Sequence, residues 1–512
     1  MVHGAGLAVQ GGHAPAHRRQ CGVGSHPRAA RRQKEREVTR KLLVGPFNRV
    51  EGDLEIRLDI RDGAVASAQV NSPLFRGFEM MLAGKDPRDA LTIVPRICGI
   101  CSISQSAAAA LALGQAAGVT PTPQGALATA ILHAVENLAD HVTHFALFFM
   151  PDFARPAYAG RDWHGQALER FTAMQGSAAR QLTEGRAQLL HITGMLAGKW
   201  PHTLAIQPGG VTKAPDARDR VRILSTLRSF RRTLEATIFG AKLEEYAALA
   251  TLSDLDGWQT GDAALFLRIA ADLGLAASGQ GPRRYLSAGA YPLGAQRLTR
   301  AGLLDRGTLK PFDPAQITED LSHAWMLGDT AHPAQGQTVP DEDMREAAYS
   351  WCKAPRLGGQ VVECGALARQ AVDGHPLALA LADEGGVRAR VAARLLEIAR
   401  TQIWLEEAAQ ALDPAATFLE PFTLPKNGQG VGLVEAARGT LGHWLRIEKG
   451  RIASYQIVAP TTWNFSPRDA QGVPGALEAA LVGAPVAEGE ETPLSVQHIV
   501  RSFDPCMVCT VH

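Results

Sequence analysis

The sequence predicts an α+β protein that is mostly α-helical, with a core of long helices between an N-terminal and a C-terminal β-hairpin region. Alternation of apolar and polar residues predicts the two hairpin regions, and long segments with helical periodicity predict the core between them. Two Cys-x-x-Cys pairs lie almost a full chain apart, and a site formed from both pairs would tie the ends of the chain together. We therefore expect the hairpin regions to lie on either side of a buried metal site.

Length and composition exclude several classes of function. The 512 residues are 46% hydrophobic and 20% charged, which is enough to build a large core. A formal net charge of +1 gives no electrostatic reason to expect nucleic acid as a partner. No apolar run reaches the roughly 18 residues of a membrane-spanning helix, so no direct membrane insertion is expected. The seven cysteines, four of them in metal-binding pairs, suit a reducing compartment, and we expect a cytoplasmic protein.

Residues 1–41 differ in composition from the rest of the chain. They are rich in Gly, Ala, His and Arg and contain almost no large apolar residue. Such a segment buries too little surface to offset the entropy of ordering it. Two interpretations stay open: a disordered basic N-terminal arm, or a start codon assigned too far upstream. Residues 42–512 are expected to form one domain.

The first ordered element is predicted to be a half-buried β-hairpin. Apolar residues alternate with charged ones over Leu54–Ile60, and Asp62-Gly63 then turns the chain into a second strand over Val65–Val70. A helix is predicted to start at Asp86-Pro87, because proline is suited to the first helical turn. An alanine-rich helix follows the first cysteine pair and extends to Ala116.

The middle of the chain is predicted to be helical, and strands return near its C-terminal end. Helical periodicity extends over four long segments: Gln124–Phe149, Gln166–Leu196, Ala217–Leu252 and Leu377–Leu412. The C-terminal elements are a strand over Leu433–Arg438, a hairpin over Leu445–Ile457 with its turn at Lys449-Gly450, and a short helix near Gly475–Leu481.

The two cysteine pairs are the strongest chemical signal in the sequence. Cys98 and Cys101 form the first pair, and Cys506 and Cys509 form the second. The spacing lets both sulfurs of a pair face one point, so the two pairs together can form one four-thiolate site. Soft thiolates select zinc, copper(I), an iron–sulfur cluster or a comparable transition-metal centre. A structural zinc stays open as an alternative, although such sites usually keep their pairs about 15–20 residues apart.

The remaining cysteines have no spacing that indicates a pair. They are Cys21, Cys352 and Cys364. Buried, unreactive thiols are the expected role of the last two.

Eight stretches within residues 42–512 resemble, in order, the large subunit of a nickel–iron hydrogenase. They are Arg49–Gly52, Phe75–Glu79, Asp86–Ala90, Arg96–Cys101, Tyr349–Arg356, Glu435–Trp444, Tyr455–Trp463 and Asp504–His512. Each stretch alone is weak, but all of them in this order are highly specific. The resemblance implies a protein that binds H2 and cleaves it heterolytically.

The resemblance implies a role for each paired cysteine. Cys98 and Cys506 match the terminal thiolates on nickel, and Cys101 and Cys509 match the thiolates that bridge nickel to iron. The family's iron also carries carbon monoxide and cyanide, which no side chain supplies, so maturation proteins are implied as partners. Soft thiolates are suitable ligands for nickel, and metal binding would deprotonate each thiol.

Four further residues match groups that surround these metals. Glu51 matches the carboxylate that accepts and relays the proton of H2, and Arg438 matches an arginine poised over the metals. Asp140 and Asp504 match two acids close to that arginine. The family usually has proline where this chain has Ala437, so the backbone beside Arg438 departs from the family. Without the resemblance, Glu51 would be interpreted as a surface residue, Arg438 as a structural salt bridge and Asp504 as a turn or helix cap.

A second cation site is implied by Glu79, the backbone carbonyl of Ile457 and His512. In the family, groups at these positions hold magnesium or a similar divalent cation. Carboxylate and carbonyl oxygens are ordinary ligands for such an ion, whereas histidine is less usual. Otherwise His512 would be interpreted as a frayed chain end.

Three departures from the catalytic members resemble the hydrogen-sensing, regulatory branch of the family. Gln105 stands four residues after the second cysteine of the first pair, where catalytic members commonly have histidine. The chain stops at His512, so we expect it to lack the C-terminal extension that a protease removes from most members. Ile100 and Phe148 stand where catalytic relatives tend to have Val and Leu, and we expect both to narrow a gas channel.

The resemblance also implies partners and further cofactors. This chain has no other cysteine motif for electron-carrying clusters, so an iron–sulfur small subunit would supply them in a heterodimer or a dimer of heterodimers. A sensor of this kind would control hydrogenase gene expression through a histidine kinase. Two alternatives stay open: a catalytic uptake hydrogenase that feeds electrons to respiration, and a non-catalytic scaffold held by zinc.

Overall fold

Each end of the described chain forms a three-stranded antiparallel sheet. The computed structural model describes residues 40–510, so Cys21, His512 and nearly all of the predicted N-terminal arm lie outside the described residues. The strands are β1 (Arg40–Val44), β2 (Glu55–Arg61), β3 (Ala64–Asn71), β4 (Ile206–Gln207), β5 (Gly210–Val211), β6 (Arg284–Leu293), β7 (Gln296–Asp305), β8 (Thr308–Lys310), β9 (Ile317–Asp320), β10 (Ala354–Leu357), β11 (Glu363–Cys364), β12 (Gly428–Ala436), β13 (Gly439–Glu448) and β14 (Arg451–Val458).

Helices occupy most of the chain between these sheets, which confirms the predicted α+β class. The α-helices are α1 (Phe78–Leu82), α2 (Ala90–Ile93), α3 (Ser102–Ala117), α4 (Pro123–Thr143), α5 (His164–Phe171), α6 (Ser177–Leu189), α7 (His191–Ala197), α8 (Ala217–Leu234), α9 (Leu243–Ala247), α10 (Leu252–Asp256), α11 (Gly261–Asp272), α12 (Ala366–Asp373), α13 (Pro376–Glu384), α14 (Gly386–Gln410), α15 (Pro460–Asn464), α16 (Ala476–Leu481) and α17 (Leu494–Ser502). Two π-helical segments, His144–Phe149 and Glu235–Phe239, continue α4 and α8. Short 3₁₀ helices lie at Pro87–Asp89, Val94–Arg96, Met150–Ala154, Pro156–Tyr158, Pro314–Gln316 and Met507–Cys509.

The predicted hairpins and their turns are present in the structure. β2 and β3 pair through a two-residue turn at Asp62-Gly63, and β13 and β14 pair through one at Lys449-Gly450. In each turn the two residues have φ values of 51° and 74°, which is the turn geometry that suits the twist of an antiparallel pair. β1 and β12 add a third strand to each pair. β1 begins at Arg40, two residues before the predicted start of order.

A close approach between α3 and β12 fixes the position of the first cysteine pair. A Cβ atom on Gly432 would lie 1.9 Å from the carbonyl oxygen of Ala108, and one on Gly430 would lie 2.0 Å from that of Ala112. Glycine on the strand and alanine on the helix therefore let the two backbones come together. Cys101 directly precedes α3, so the packing of this helix against β12 helps to position the first cysteine pair.

Two long helices form the centre of the core, but other predicted helical segments are broken. α4 and α14 pack against each other, and most of α14 is buried. The predicted segment Gln166–Leu196 forms α5, α6 and α7, and the segment Ala217–Leu252 is interrupted at Gly240. Gly385, with a φ of 70°, separates α13 from α14. Periodicity does not show these breaks because the apolar spacing continues across them.

A central sheet lies in the part of the chain that the sequence predicts to be helical, and the sequence analysis missed it. β6 pairs antiparallel with β7 and parallel with β11, and β8 adds to the far edge of β7. β6 is buried along most of its length, so its residues do not alternate between apolar and polar. A strand that is covered on both faces gives no period-two pattern.

The side chains of the two cysteine pairs lie inside the main hydrophobic core. This core is one large cluster of buried apolar residues with two smaller clusters beside it, and all four paired cysteines belong to the large one. Among residues 40–510, no helix combines the length and hydropathy that a membrane crossing requires.

Candidate metal centre

The four cysteines of the two pairs come together in the core. Sγ of Cys98 lies 3.4 Å from Sγ of Cys506, and Sγ of Cys101 lies 3.4 Å from Sγ of Cys509. Within the second pair the two sulfurs are 2.8 Å apart. All four sulfur atoms lie within 4.8 Å of one another, and all four side chains are buried. Residues from the two ends of the chain thus form one compact four-sulfur cluster.

Backbone pairing between Glu51 and the second cysteine pair closes the site. The amide of Met507 donates to the carbonyl oxygen of Glu51 at 2.7 Å, and the amide of Glu51 donates to that of Pro505 at 3.4 Å. Gly52 has a φ of 82°, and a Cβ atom there would lie 2.9 Å from Cγ1 of Val508. Only glycine fits this conformation and this close contact. The Glu51-Gly52 sequence therefore lets an N-terminal segment lie directly on the C-terminal cysteines.

The protonation of the four sulfurs fits a cation among them. Hydrogen bonds from the other three thiols hold the pKa of Cys98 well below its usual range. The hydrogen bond with Cys506 raises the pKa of Cys101 well above its usual range, and the one with Cys101 does the same for Cys509. A soft metal ion supplies the positive charge that ionises all four sulfurs, so this donor set fits nickel. By ligand chemistry alone, zinc fits the same four sulfurs.

Arg438 and two aspartates form a buried ion-pair cluster beside the sulfurs. Nη1 of Arg438 lies 2.9 Å from Oδ2 of Asp140, and Nη2 lies 3.2 Å from Oδ1 of Asp504. Burial alone would lower the pKa of Arg438, but the two aspartates and the nearby thiolates hold it well above its usual value. Burial raises the pKa of Asp140 to about 7. A fixed guanidinium charge therefore lies next to the cysteines.

The carboxyl group of Glu51 lies at the edge of the sulfur cluster and is half-buried. Burial and the negative charge of Cys98 raise the pKa of Glu51, and this outweighs the opposite effect of Arg438 and Arg76. A raised pKa makes the carboxylate a stronger proton acceptor. Its chemistry and position suit a group that takes a proton from the site.

Comparison with known proteins identifies the family. The sequence model described as nickel-dependent hydrogenase matches residues 76–161 and 180–512 of the chain. The chain belongs to the nickel-dependent hydrogenase family. This membership confirms the resemblance to a hydrogenase large subunit and favours nickel over structural zinc for the four sulfurs.

Relatives of this hydrogenase large subunit match almost over their full length. The periplasmic NiFeSe hydrogenase large subunit of Desulfomicrobium baculatum is 28% identical, over 92% of this chain and 95% of the relative. The uptake hydrogenase large subunit of Rhodobacter capsulatus is 26% identical, over 92% of this chain and 95% of the relative. The solved structure of the H2-activated D. baculatum NiFeSe hydrogenase covers 93% of this chain and 100% of its own, with a TM-score of 0.80 and 27% identity.

Two of the three residues predicted to hold magnesium, Glu79 and Ile457, are in contact in the structure. Oε1 of Glu79 accepts a hydrogen bond from the amide of Ile457 at 2.7 Å. Oε2 of Glu79 accepts one from the hydroxyl of Thr338 and lies 3.4 Å from Nζ of Lys353. The third predicted ligand, His512, lies outside the described residues. Carboxylate and carbonyl oxygens fit a hard divalent cation. Lys353, for which the sequence indicates no role, already places one positive charge beside the Glu79 carboxylate.

Gln105 contacts the sulfur cluster through its side-chain amide. Nε2 of Gln105 lies 4.0 Å from Sγ of Cys101, and Oε1 lies 2.8 Å from Nε2 of His443. Nδ1 of His443 in turn lies 2.8 Å from the hydroxyl of Tyr455. Sequence analysis did not assign a role to His443 or Tyr455, although both belong to stretches that carry the family resemblance.

The two residues predicted to narrow a gas channel are both half-buried. Ile100 packs against the main core, between the two cysteines of the first pair. Phe148 lies in the π-helical segment after α4, and its carbonyl oxygen accepts a hydrogen bond from Nη1 of Arg49 at 3.1 Å. Because the chain passes from α-helix into a π-helical segment between Asp140 and Phe148, regular α-helical spacing does not describe how these two residues lie relative to each other.

A buried carboxylate that sequence analysis did not single out anchors the helix after the first cysteine pair. Glu136 on α4 accepts hydrogen bonds from the amides of Ile103 and Ser104 at 2.8 and 2.9 Å, and from the indole of Trp200 at 3.0 Å. The first amides of a helix have no partner inside it, and a carboxylate stabilises this end. Two buried acidic residues, Glu136 and Asp140, interrupt the largely apolar sequence of α4, and such an interruption is the signal that would have indicated Glu136.

The two other described cysteines lie apart from the cluster. Cys352 and Cys364 are buried, and burial raises the pKa of both thiols. Both properties agree with the unreactive role expected from the sequence.

Proposed function

We propose that this protein is the large subunit of a hydrogen-sensing nickel–iron hydrogenase that binds H2, cleaves it heterolytically and turns over slowly. The observation that carries this proposal is Gln105, whose amide lies 4.0 Å from Cys101 at a position where catalytic members commonly have histidine. Histidine takes up and releases a proton near neutral pH, whereas an amide does not. A site without this titratable group beside a thiolate suits signalling better than rapid turnover.

In this proposal the cysteines hold both metals. Cys98 and Cys506 would hold nickel as its terminal ligands, and Cys101 and Cys509 would be shared between nickel and an iron that carries carbon monoxide and cyanide. When bound, this centre supplies the electrophilic site at which H2 is polarised. Burial of all four sulfurs keeps water from the site. Arg438 supplies a fixed positive charge that stabilises negative charge on ligands above the metals.

Heterolytic cleavage releases a proton, and Glu51 is the group best placed to receive it. The hydrogen bond from the amide of Met507 to the carbonyl oxygen of Glu51, at 2.7 Å, holds Glu51 beside Cys506. Burial and the charge of Cys98 raise the pKa of Glu51, which strengthens the carboxylate as a base. Its half-buried side chain can then pass the proton outward.

We place a magnesium ion, or a similar divalent cation, at Glu79, the carbonyl of Ile457 and His512. The hydrogen bond from the amide of Ile457 to the Glu79 carboxylate supports this proposal, because it brings that carboxylate to the backbone of Ile457. An ion there would tie α1 and β14 to the C-terminal residues.

The proposed partners are those that a hydrogen sensor of this family would need. An iron–sulfur small subunit would supply the electron-carrying clusters, in a heterodimer or a dimer of heterodimers. Maturation proteins would deliver the carbon monoxide, cyanide and metals. A cytoplasmic sensor histidine kinase would receive the signal and control hydrogenase gene expression.

The names of the relatives favour a second candidate function. Several of them are uptake hydrogenases, so a catalytic large subunit that feeds electrons to respiration is the alternative. Both functions use the same metals and the same proton acceptor, and they differ in turnover rate and in the protein that receives the electrons or the signal.

Infrared spectroscopy of the purified complex under hydrogen and under argon, with nickel and iron analysis, tests the proposal. We expect carbon monoxide and cyanide bands that change with hydrogen, slow turnover with an artificial acceptor, and hydrogen-dependent autophosphorylation of the kinase. Turnover in the range of ordinary enzymes, about 1–10³ s⁻¹, without any effect on a kinase would establish the uptake alternative. Absence of the diatomic bands would contradict the nickel–iron assignment itself.

We expect the double variant Ile100→Val and Phe148→Leu to keep its response to hydrogen but to lose activity in oxygen. Both changes remove volume from half-buried side chains, that of Ile100 between the two cysteines of the first pair, and in a packed protein interior a single methylene alters passage of a small molecule. Hydrogen passes a constriction that hinders the larger oxygen molecule.

The measurement is the hydrogen-dependent infrared change before and after exposure to air. Ile→Val alone costs about 0.5–1.5 kcal/mol of stability, so metal content serves as the folding control. A metal-loaded double variant that withstands oxygen as well as the parent would show that neither residue limits gas access.

A further inference from the structure

Three buried side chains form a hydrogen-bonded chain that ends on Cys101. The hydroxyl of Tyr455 lies 2.8 Å from Nδ1 of His443, and Nε2 of His443 lies 2.8 Å from Oε1 of Gln105. Nε2 of Gln105 then lies 4.0 Å from the sulfur of Cys101. Tyr455 is 2% exposed, and His443 and Gln105 are 0% exposed. Polar groups this deeply buried are satisfied by one another, so each hydrogen in the chain has a defined direction.

The direction of the hydrogen bonds in this series is set at Tyr455. A phenol keeps its hydrogen near neutral pH, so this hydroxyl has one hydrogen to donate. Within residues 40–510, the partner of its hydroxyl is Nδ1 of His443. If the hydroxyl accepted a hydrogen bond from Nδ1, its own hydrogen would be buried without an acceptor, which is unfavourable. Tyr455 therefore donates to His443.

The tautomer of His443 then fixes the orientation of Gln105. A neutral imidazole has one N–H group, so a ring that accepts at Nδ1 carries its hydrogen on Nε2. That N–H group donates to Oε1 of Gln105. With its oxygen held by His443, the amide must turn its NH2 group toward Cys101.

We propose that Tyr455 and His443 are positioning residues that keep the amide of Gln105 turned so that it donates a hydrogen bond to the sulfur of Cys101. The proposal deepens the proposed function, because it rests on Cys101 as a ligand that bridges the metals. Donation to the sulfur withdraws electron density from this thiolate, whereas a flipped amide would direct its oxygen at the sulfur and do the opposite. Tyr455 and His443 thus decide whether the positive NH2 end or the negative oxygen end of the Gln105 amide faces the sulfur of Cys101.

Neutron diffraction from the purified, deuterium-exchanged complex tests the direction of these hydrogen bonds without relying on the metal ligands. We expect deuterium on the hydroxyl of Tyr455 pointing at His443, deuterium on Nε2 of His443, and the ND2 group of Gln105 facing Cys101. Deuterium on Nδ1 of His443, or the amide oxygen of Gln105 facing the sulfur, would overturn the proposal.

Infrared spectroscopy of variants tests the effect on the metals. Tyr455→Phe removes the donor and lets the other tautomer and the flipped amide form, so we expect the carbon monoxide band to move to lower wavenumber. Tyr285→Phe is the matched control, because its buried hydroxyl donates to the carbonyl oxygen of Ala382 at 3.0 Å, away from the cluster. We expect no band shift for this control.

A double variant separates positioning from general disturbance. In a Gln105→Leu background, Tyr455→Phe should cause no further shift, because the amide through which it acts is gone. An equal shift in both backgrounds, or no shift in metal-loaded Tyr455→Phe, would contradict the proposal. If the parent complex has no carbon monoxide or cyanide bands, the proposed function fails, and the neutron map still decides the direction of the chain. The same map decides it if Tyr455→Phe does not load metal.

Discussion

Replacing Cys509 with serine is expected to abolish nickel retention while the protein keeps its fold. Cys509 supplies one of four sulfurs that lie within 4.8 Å of one another, and Sγ of Cys509 is only 3.4 Å from that of Cys101. A serine hydroxyl is a hard ligand that stays protonated near neutral pH, so it replaces neither the softness nor the charge of the thiolate. Metal analysis of the purified complex measures the loss, and infrared spectroscopy should show no hydrogen-dependent bands.

The matched control for this prediction is Cys352→Ser. Cys352 is also a buried free thiol, but its sulfur contacts the carbonyl oxygen of Lys353 at 3.2 Å and lies apart from the cluster. This variant should retain nickel at the level of the parent. Full nickel content in Cys509→Ser, together with a hydrogen-dependent infrared change, would disprove the four-thiolate assignment.

Replacing Glu51 with glutamine should cause a collapse of hydrogen–deuterium exchange with solvent and leave metal content unchanged. The amide keeps the size of the side chain, and the backbone hydrogen bonds with Pro505 and Met507 do not involve it. The substitution removes the base, and a positioned acid–base group contributes roughly 10²–10⁴-fold to the reaction rate. The exchange rate, measured by mass spectrometry of the gas phase, should fall by a factor in this range.

Glu55→Gln serves as the matched control for Glu51→Gln. Glu55 lies four residues further along the same segment, at the start of β2, where it accepts a hydrogen bond from Asn71 at 3.0 Å. Exchange in this variant should equal that of the parent. If Glu51→Gln also exchanges at the parent rate with its metals in place, another group carries the proton.

Local patterns in the sequence were sufficient to predict the two terminal hairpins and the helix after the first cysteine pair, but not the strand β1 that completes the first sheet. The turns at Asp62-Gly63 and Lys449-Gly450 need positive φ at both positions, and glycine in each turn marks that need. The alanine-rich composition of α3 reflects its contact with the glycines of β12. In these elements the residues that determine the structure are adjacent in the sequence or repeat at short intervals.

The central sheet and the breaks in the long helices could not be predicted in the same way. β6 is buried along most of its length, which removes the alternation that identifies a strand. Gly385 ends α13 through its backbone conformation, while the apolar spacing continues into α14. In both cases tertiary packing decides the structure, and a periodicity in one segment does not contain that information.

The residues of the candidate site also differ in whether local sequence is enough to predict them. The cysteine pairs are visible because their spacing is local, and the roles of Glu51 and Arg438 come from the family resemblance. The contact between Gln105 and His443 joins residues 338 positions apart, and Glu136 reaches Ile103 across 33 positions. Such contacts follow from the way the helices pack, and they become visible only once the fold is known.

The separation of the two cysteine pairs also determines how long after the first pair the second pair is synthesised. Cys98 and Cys506 are 408 positions apart, so at roughly 5–20 residues per second the second pair is synthesised about 20–80 s after the first. During that interval β12, against which α3 packs, is also absent for most of the time, and the first pair has neither its cover nor its partner sulfurs. A metal centre held by all four sulfurs can therefore be completed only after Cys509 has been synthesised, and until then the first pair lacks two of the four sulfurs.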